Sequence, residues 1–220
     1  MELLTIDIAH VLAGALLLTS FMLLYQDRLS GLINIYTLHA VILSLSVAWQ
    51  AYYQDAPHLY FTACIAAIFK ALIIPFSLRS IIKRLRIHRT VEVVGGVGIT
   101  MLIGIFLVAL SLVVMLPATA SADPLSREDI AFALAIVLLG LLMMVTRRNV
   151  VSQIIGFMSL ENGLVLAAAG ANGMPLVVEI SVAFSILIAF IVIGIFLFRI
   201  RERFDNVDLS ELDRVRGGRS

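Results

Sequence analysis

The chain has 220 residues, of which 61% are hydrophobic and only 14% are charged, and its mean hydropathy is +1.05. A soluble domain is about half apolar and about a quarter charged, so this composition excludes a soluble enzyme and a disordered chain. The net charge of +1 gives no sign of a nucleic-acid partner. The single cysteine, Cys64, excludes an internal disulfide and a cysteine-ligated iron–sulfur cluster or structural zinc site.

Seven stretches of mostly apolar residues predict seven transmembrane helices, because an α-helix needs about 20 such residues to cross a bilayer. In chain order they cover residues 3–25, 31–53, 59–80, 93–116, 129–146, 150–170 and 176–198. We therefore expect an all-α integral membrane protein. Its predicted parts are an amino-terminal four-helix membrane region at 1–116, an outside linker at 117–128, a three-helix region at 129–199 and a polar cytoplasmic tail at 200–220.

The distribution of Arg and Lys predicts the orientation of the chain, because loops rich in these residues stay on the cytoplasmic side. Of the 16 Arg and Lys residues, 14 fall on one side of the predicted topology, Lys70 lies inside a span, and Arg127 alone falls on the opposite side. We therefore predict that the amino-terminus lies outside and the carboxyl-terminus inside. The expected location is a bacterial inner membrane, crossed several times, and the composition also fits an archaeal membrane.

Three ionisable residues, Lys70, Glu161 and Glu179, fall well inside the predicted spans. Lys70 lies about 15 Å from the outer end of its span and Glu161 about 17 Å from the inner end of its own, which places both near mid-depth. Charged groups are costly there and mark proton relays in many membrane proteins. We interpret the two glutamates as relay carboxylates and Lys70 as their cationic partner. The structural alternative is a helix-packing carboxyl and a lysine that reaches the interface.

Five further residues are weaker candidates: His39, His10, Asp7, Arg147 and Arg148. The two histidines lie about 20 Å and about 10 Å from the outer ends of their spans, so they are poorly matched in depth for a bis-histidine haem. The two arginines would border the inner entrance of a proton path. No nucleophile–base pair or set of metal ligands accompanies the carboxylates, so we expect no catalytic centre, no metal and no cofactor bound by this chain.

Pro75 follows Lys70 by five residues in the third span. Because proline lacks the backbone N–H, we expect a kink that either frees carbonyl groups near the lysine for a polar path or serves packing alone. The sixth span also carries polar residues that could hold water or bond neighbouring helices, namely Ser152, Gln153, Ser159 and Asn162.

The last three predicted spans resemble the NuoK-type subunit of respiratory complex I. The resemblance rests on Arg147-Arg148-Asn149 in the inner loop, on the segment 155–163 around Glu161, and on Glu179 in the next span. Segment 206–217 is also similar to that subunit's carboxyl-terminal arm. Glu161 follows the arginine pair by about one helical turn more than in that family, and Glu179 is displaced outward by a similar amount.

The whole chain resembles component E of the membrane-bound group 4 nickel–iron hydrogenases, the hydrogenase-4 and formate hydrogenlyase type. The family's motifs appear as Lys70-Ala71-Leu72-Ile73-Ile74-Pro75, as 159–163 and as 175–179. The resemblance implies a membrane-arm subunit beside antiporter-like membrane subunits and a peripheral hydrogenase or oxidoreductase arm. It also implies that the nickel–iron centre and the iron–sulfur clusters belong to partner subunits.

We therefore predict a non-catalytic subunit of a proton-translocating hydrogenase or complex-I-like oxidoreductase. Two alternatives stay open at this point. A multi-subunit cation/proton antiporter also has a NuoK-like small component, although that component is normally shorter. A structural scaffold between pumping subunits would use the buried charges for stability alone. A stand-alone solute carrier is disfavoured, because the sequence shows no paired broken helices and no inverted repeat.

Overall fold

A computed structural model describes residues 2–85, 93–120 and 124–170, together with Leu187, Ile191 and Gly194. Its elements follow one another as α1 (Glu2–Tyr25), α2 (Leu29–Tyr53), α3 (Pro57–Ile65), a π-helical segment (Ala66–Ile73), α4 (Ile74–Leu85), α5 (Val97–Ala118), α6 (Pro124–Thr146) and α7 (Val150–Gly170). Since α3, the π-helical segment and α4 are contiguous, they form one helical rod.

Six helical rods in the described part of the chain are long and apolar enough to cross a membrane. This confirms the predicted all-α membrane fold and six of the seven expected spans. The seventh, at 176–198, lies outside the described residues except for Leu187, Ile191 and Gly194, which are helical. The predicted tail at 200–220 lies outside them entirely.

The fourth span begins later than predicted, at Val97 instead of residue 93. Gly95 and Gly96 have φ values of +79° and +85°. Such a backbone is outside the right-handed helical region and suits glycine, which has no Cβ to clash. The backbone N–H of Val94 donates to the carbonyl oxygen of Thr146 at 2.8 Å, which attaches this turn to the end of α6.

The linker between the fourth and fifth spans is shorter than the predicted 117–128. Helix α5 continues to Ala118, and α6 begins at Pro124, five residues before the predicted start of its span. Proline suits the first turn of a helix, because its missing N–H would find no acceptor there in any residue. As a consequence, Asp129 lies inside a helix and not at its edge.

Successive rods alternate in direction, because three-residue connections join α1 to α2, α2 to α3, and α6 to α7. We call the end of the bundle at which α1 begins the outer end, in line with the predicted orientation. Helix α7 is the most buried of the described helices and packs against α6 and α2. Helix α5 lies at the periphery, where Leu102, Phe106 and Val113 are exposed. Most residues of α7 are therefore enclosed by protein.

Glycines allow α6 and α7 to approach closely. A Cβ added at Gly140 would lie 2.5 Å from the backbone nitrogen of Leu160 and 2.8 Å from the carbonyl oxygen of Gly156. A Cβ added at Gly163 would lie 2.9 Å from the carbonyl oxygen of Ala133. Small residues at helix contacts let backbones meet in this way in membrane proteins. This spacing sets the position of α7 within the bundle.

We expect Gly140→Ala to lower the free energy of unfolding by about 1–3 kcal/mol, because the added methyl group would push α6 and α7 apart. Gly14→Ala is the matched control, since a Cβ at Gly14 meets nothing within 4 Å. The measurement is the thermal unfolding midpoint of the protein in mild detergent. Equal midpoints for the two variants would contradict this account of the contact.

Candidate functional site

The centre of the bundle holds a buried lysine–glutamate pair. Lys70 Nζ, on the π-helical segment, lies 3.1 Å from Glu161 Oε1, on α7. The two side chains are only 3% and 4% exposed. Glu161 lies near the middle of its 21-residue helix, so the pair lies far from both ends of that span. Two charges predicted separately from hydropathy are thus brought into direct contact.

A chain of hydrogen bonds extends from this pair across three helices. Lys70 Nζ donates to Asn162 Oδ1 at 2.8 Å, and Asn162 Nδ2 lies 2.9 Å from His39 Nδ1. His39 Nε2 lies 3.0 Å from Ser20 Oγ, whose hydroxyl donates to the carbonyl oxygen of Leu16 at 2.9 Å. The polar side chains are all buried. We call the following residues the central network: Ser20, His39, Lys70, Glu161 and Asn162.

The order of donors along the network determines the tautomer of His39. A lysine ammonium group only donates, so the Asn162 oxygen faces Lys70 and its NH2 group faces His39. The Nδ1 atom of His39 must then accept, and its proton resides on Nε2, which donates to Ser20. His39 is therefore neutral in this arrangement. A proton placed on Nδ1 would break its hydrogen bond with Asn162.

The backbone that carries Lys70 is wider than an α-helix. The N–H of Ile74 donates to the carbonyl oxygen of Phe69, five residues earlier, as a π-helix requires. Pro75 follows directly; it lacks an N–H, and in an α-helix its ring clashes with the carbonyl group four residues before it. The kink expected at Pro75 is thus accommodated by a π-helical segment. Such segments are rare and often occur at functional sites.

Two buried hydroxyl groups lie on the inner side of the central network. Tyr36 on α2 precedes His39 by one turn, and Ser152 on α7 precedes Glu161 by about 13 Å. Within the described part of the chain, neither hydroxyl has a hydrogen-bond partner. Buried polar groups of this kind commonly bond internal water. They provide polar groups between the centre of the bundle and its inner end.

The other predicted site residues that the structure describes do not join the central network. His10 lies near the outer end, where its Nε2 is 3.2 Å from Glu128 Oε2 on α6. His10 and His39 therefore belong to separate sites. Asp7 is exposed, and Glu179 lies outside the described residues. Ser20 was not among the predicted site residues, because a serine adds little polarity to an apolar span.

Arg147 and Arg148 have different environments. Arg147 is 1% exposed and donates from Nη2 to the carbonyl oxygens of Leu23 at 3.2 Å and Leu24 at 2.6 Å. These carbonyls end α1, where helical acceptors lack partners and the helix dipole favours a cation. Burial lowers the pKa of Arg147, and the nearby Asp27 opposes this shift. Arg148 is exposed. Arg147 therefore fastens α1 to the α6–α7 connection.

We expect Arg147→Gln to lower the free energy of unfolding by about 1.5–3 kcal/mol, because hydrogen bonds made by a charged donor to the end of α1 are lost. Arg148→Gln removes the same charge from an exposed position and should change stability little. The amount of each variant in isolated membranes and its thermal midpoint in detergent provide the comparison. Identical losses for both variants would show that net charge, and not the cap, matters.

Among the described residues, no group of three or more His, Cys, Asp or Glu side chains is placed to hold a metal ion. Cys64 is exposed and forms no disulfide. The arrangement in the bundle is instead suited to proton chemistry, since its ionisable groups contact one another and neutral hydrogen-bonding groups.

The fold and the central network define a helical membrane protein with a buried ion pair. The chain is similar to hydrogenase-4 component E of Escherichia coli and of Shigella flexneri, with 26% identity over 212 residues that cover 96% of this chain and 98% of each relative. It is also similar to an uncharacterized protein of Mycobacterium tuberculosis, with 26% identity over 206 residues that cover 93% of this chain and 94% of the relative. No family model and no solved structure matches. The full-length similarity supports a relationship to membrane hydrogenase subunits.

Proposed function

We propose that this chain is a non-catalytic membrane-arm subunit of a proton-translocating hydrogenase or a related complex-I-like oxidoreductase. The observation that carries the proposal is the buried Lys70–Glu161 pair and its connection through Asn162 to His39. Ionisable residues inside a membrane mark proton and ion pathways in many proteins. The similarity to hydrogenase-4 component E supports the class of complex.

The Lys70–Glu161 pair would hold and release a proton as one unit. Transfer of a proton from Lys70 Nζ to Glu161 Oε1 converts an ionic pair into a neutral pair without changing the total charge. A charge brought close by a neighbouring subunit would favour one of the two forms, which couples the pair to events elsewhere in a complex.

The proposal includes the partners and the location of the chain. The partners would be antiporter-like membrane subunits and a peripheral arm that holds the nickel–iron centre and iron–sulfur clusters. Residues 129–199 would form the NuoK-like part. The chain would lie in the bacterial inner membrane, with its amino-terminus outside. The exposed apolar side chains of α5, such as Leu102 and Phe106, suit contact with lipid or with such a subunit.

Purification through a tag on this chain in mild detergent, followed by mass spectrometry, tests the proposal. We expect antiporter-like subunits together with nickel–iron and iron–sulfur proteins. Antiporter-like subunits without any redox protein would favour a cation/proton antiporter instead. Recovery of this chain alone, stable and monodisperse, would contradict both.

A further inference from the structure

A second buried polar cluster lies near the outer end of the bundle, separate from the central network. Asp129 on α6 is 1% exposed, and its Oδ2 accepts a hydrogen bond from Gln50 Nε2 on α2 at 2.5 Å. Gln54 Nε2 donates to Gln50 Oε1 at 2.9 Å and to the carbonyl oxygen of Ala169 on α7 at 2.7 Å. We call Asp129, Gln50 and Gln54 the outer cluster. None of these three residues belongs to the central network.

The hydrogen bonds of the outer cluster leave one carboxyl oxygen of Asp129 unmatched. Gln54 determines the orientation of the Gln50 amide, which therefore presents its NH2 group to Asp129. Asp129 Oδ1 is buried without a hydrogen-bond partner among the described residues, and none of their cations lies within salt-bridge distance of Asp129. Burying a carboxylate without a cation is costly. Protonation removes the charge and gives the carboxyl group an O–H to donate.

The outer cluster has an ionisable neighbour that reaches water. Glu128, the residue before Asp129 on α6, pairs with His10 on α1, and the two side chains are 49% and 26% exposed. Asp7 on α1 is exposed as well. Arg127, the cation nearest in sequence to Asp129, donates to the carbonyl oxygen of Leu116 on α5 at 2.9 Å. Helices α2 and α7 face this cluster with the side-chain amides of Gln50 and Gln54 and with the carbonyl oxygen of Ala169.

The distance between the outer cluster and the central network can be measured along three helices. Gln50 follows His39 by 11 residues on α2, Ala169 follows Asn162 by seven on α7, and His10 precedes Ser20 by ten on α1. At about 1.5 Å per residue, these spacings correspond to about 16, 10 and 15 Å toward the outer end. The outer cluster is therefore a distinct site on one side of the Lys70–Glu161 pair.

We infer that Asp129, held by Gln50, is a proton-binding site at the outer end of the bundle that exchanges protons with water through His10 and Glu128. The ligand is a proton and not a metal cation, because Gln50 directs an N–H donor toward the carboxyl group, whereas a sodium ion needs oxygen ligands. Its role as the outer port of a proton path rests on the proposed function. Its occupancy by a proton does not.

Carbodiimide labelling of the intact complex in membrane vesicles tests the site. A carbodiimide adds to a protonated carboxyl group: the acid proton moves to a carbodiimide nitrogen, the carboxyl oxygen bonds to the central carbon, and the adduct rearranges to a stable acylurea without losing an atom. We expect the adduct on Asp129, found by mass spectrometry of the α6 peptide, to increase as the pH falls. Sodium chloride should give no protection. Protection by sodium would overturn the inference in favour of a cation site.

Two variants sharpen this test. Gln50→Leu removes the hydrogen bond to the ionised carboxyl group, so labelling should persist to a pH about one unit higher or more. Asp7→Asn removes an exposed carboxyl group on the same side of the bundle and should leave the Asp129 adduct unchanged. If Gln50→Leu leaves the pH of half-maximal Asp129 labelling unchanged, the role given to Gln50 is contradicted.

Infrared difference spectra between low and high pH detect the same proton without a reagent. The carbonyl stretch of a protonated carboxyl group should be present in the native complex and lost in Asp129→Asn. If neither the adduct nor this band depends on Asp129, the inference is wrong. A band that depends on Asp129, in a complex whose pumping does not respond to Glu161→Gln, would keep this site and reject the proposed function.

Discussion

Glu161→Gln should reduce proton translocation by the intact complex by about tenfold or more while the subunit remains assembled. The amide has nearly the same shape as the carboxyl group, and its oxygen can still accept the hydrogen bond from Lys70 Nζ. It cannot take up or release a proton, so the exchange between ionic and neutral pair is lost. The measurement is the pH change driven by the redox reaction in inverted membrane vesicles, normalised to the amount of complex.

Asp55→Asn is the matched control for this experiment. It makes the same carboxyl-to-amide change at an exposed residue in the connection after α2. Asp55 has a φ of +50°, a conformation that asparagine also adopts readily, so the backbone should be undisturbed. Full translocation in Asp55→Asn beside a loss in Glu161→Gln would assign the effect to the central network. Unchanged translocation in Glu161→Gln would remove Glu161 from the proton path.

Hydropathy was sufficient to predict six spans and the two central charges. An apolar run of about 20 residues has few alternatives to a membrane helix, and a charge inside it is conspicuous. The contact between Lys70 and Glu161 could not be predicted in the same way, because 91 residues separate them and their meeting depends on how the rods pack. The same holds for Asn162, which was noted only as a polar residue in its span.

Asp129 was not predicted as a buried group, because the start of its helix was predicted too late in the chain. The predicted span began at that residue, which placed its carboxyl group at the edge of the membrane region. Since α6 begins at Pro124, Asp129 lies more than one turn inside the helix and faces Gln50. The proline was visible in the sequence and is a known start signal for helices. A helix predicted to begin at Pro124 would have placed Asp129 inside the span, where its carboxyl group would have been a candidate buried group.

Local sequence does not predict which of two adjacent arginines is buried. It also does not predict the type of helix that carries Lys70. Arg147 and Arg148 are chemically identical, and only the position of the α1 carboxyl end makes Arg147 a buried cap. Pro75 predicts a disturbed helix, but it does not determine whether the chain kinks or widens. In the structure the π-helical segment packs against α2 and is followed by the proline.

Lys70→Met should have the largest effect on stability, a loss of about 3–5 kcal/mol in the free energy of unfolding. It removes the positive charge that faces the Glu161 carboxylate and the donor that bonds Asn162 Oδ1. We expect low amounts of this variant in membranes and a lowered thermal midpoint in detergent. Combining Lys70→Met with Glu161→Gln removes the buried negative charge as well, so the double variant should recover a large part of the lost stability.

Translocation by the double variant then separates a proton path from a structural scaffold. If the Lys70–Glu161 pair serves only to hold the helices together, restoring stability should restore translocation, since the pumping groups would lie in neighbouring subunits. If the pair carries protons, the double variant should assemble and still fail to pump, because neither a methionine nor a glutamine side chain exchanges a proton near neutral pH. The stabilities of both single variants and the double variant form a thermodynamic cycle whose coupling energy measures the interaction of Lys70 with the negative charge of Glu161. Recovery of stability together with normal pumping would therefore establish the scaffold and exclude the relay.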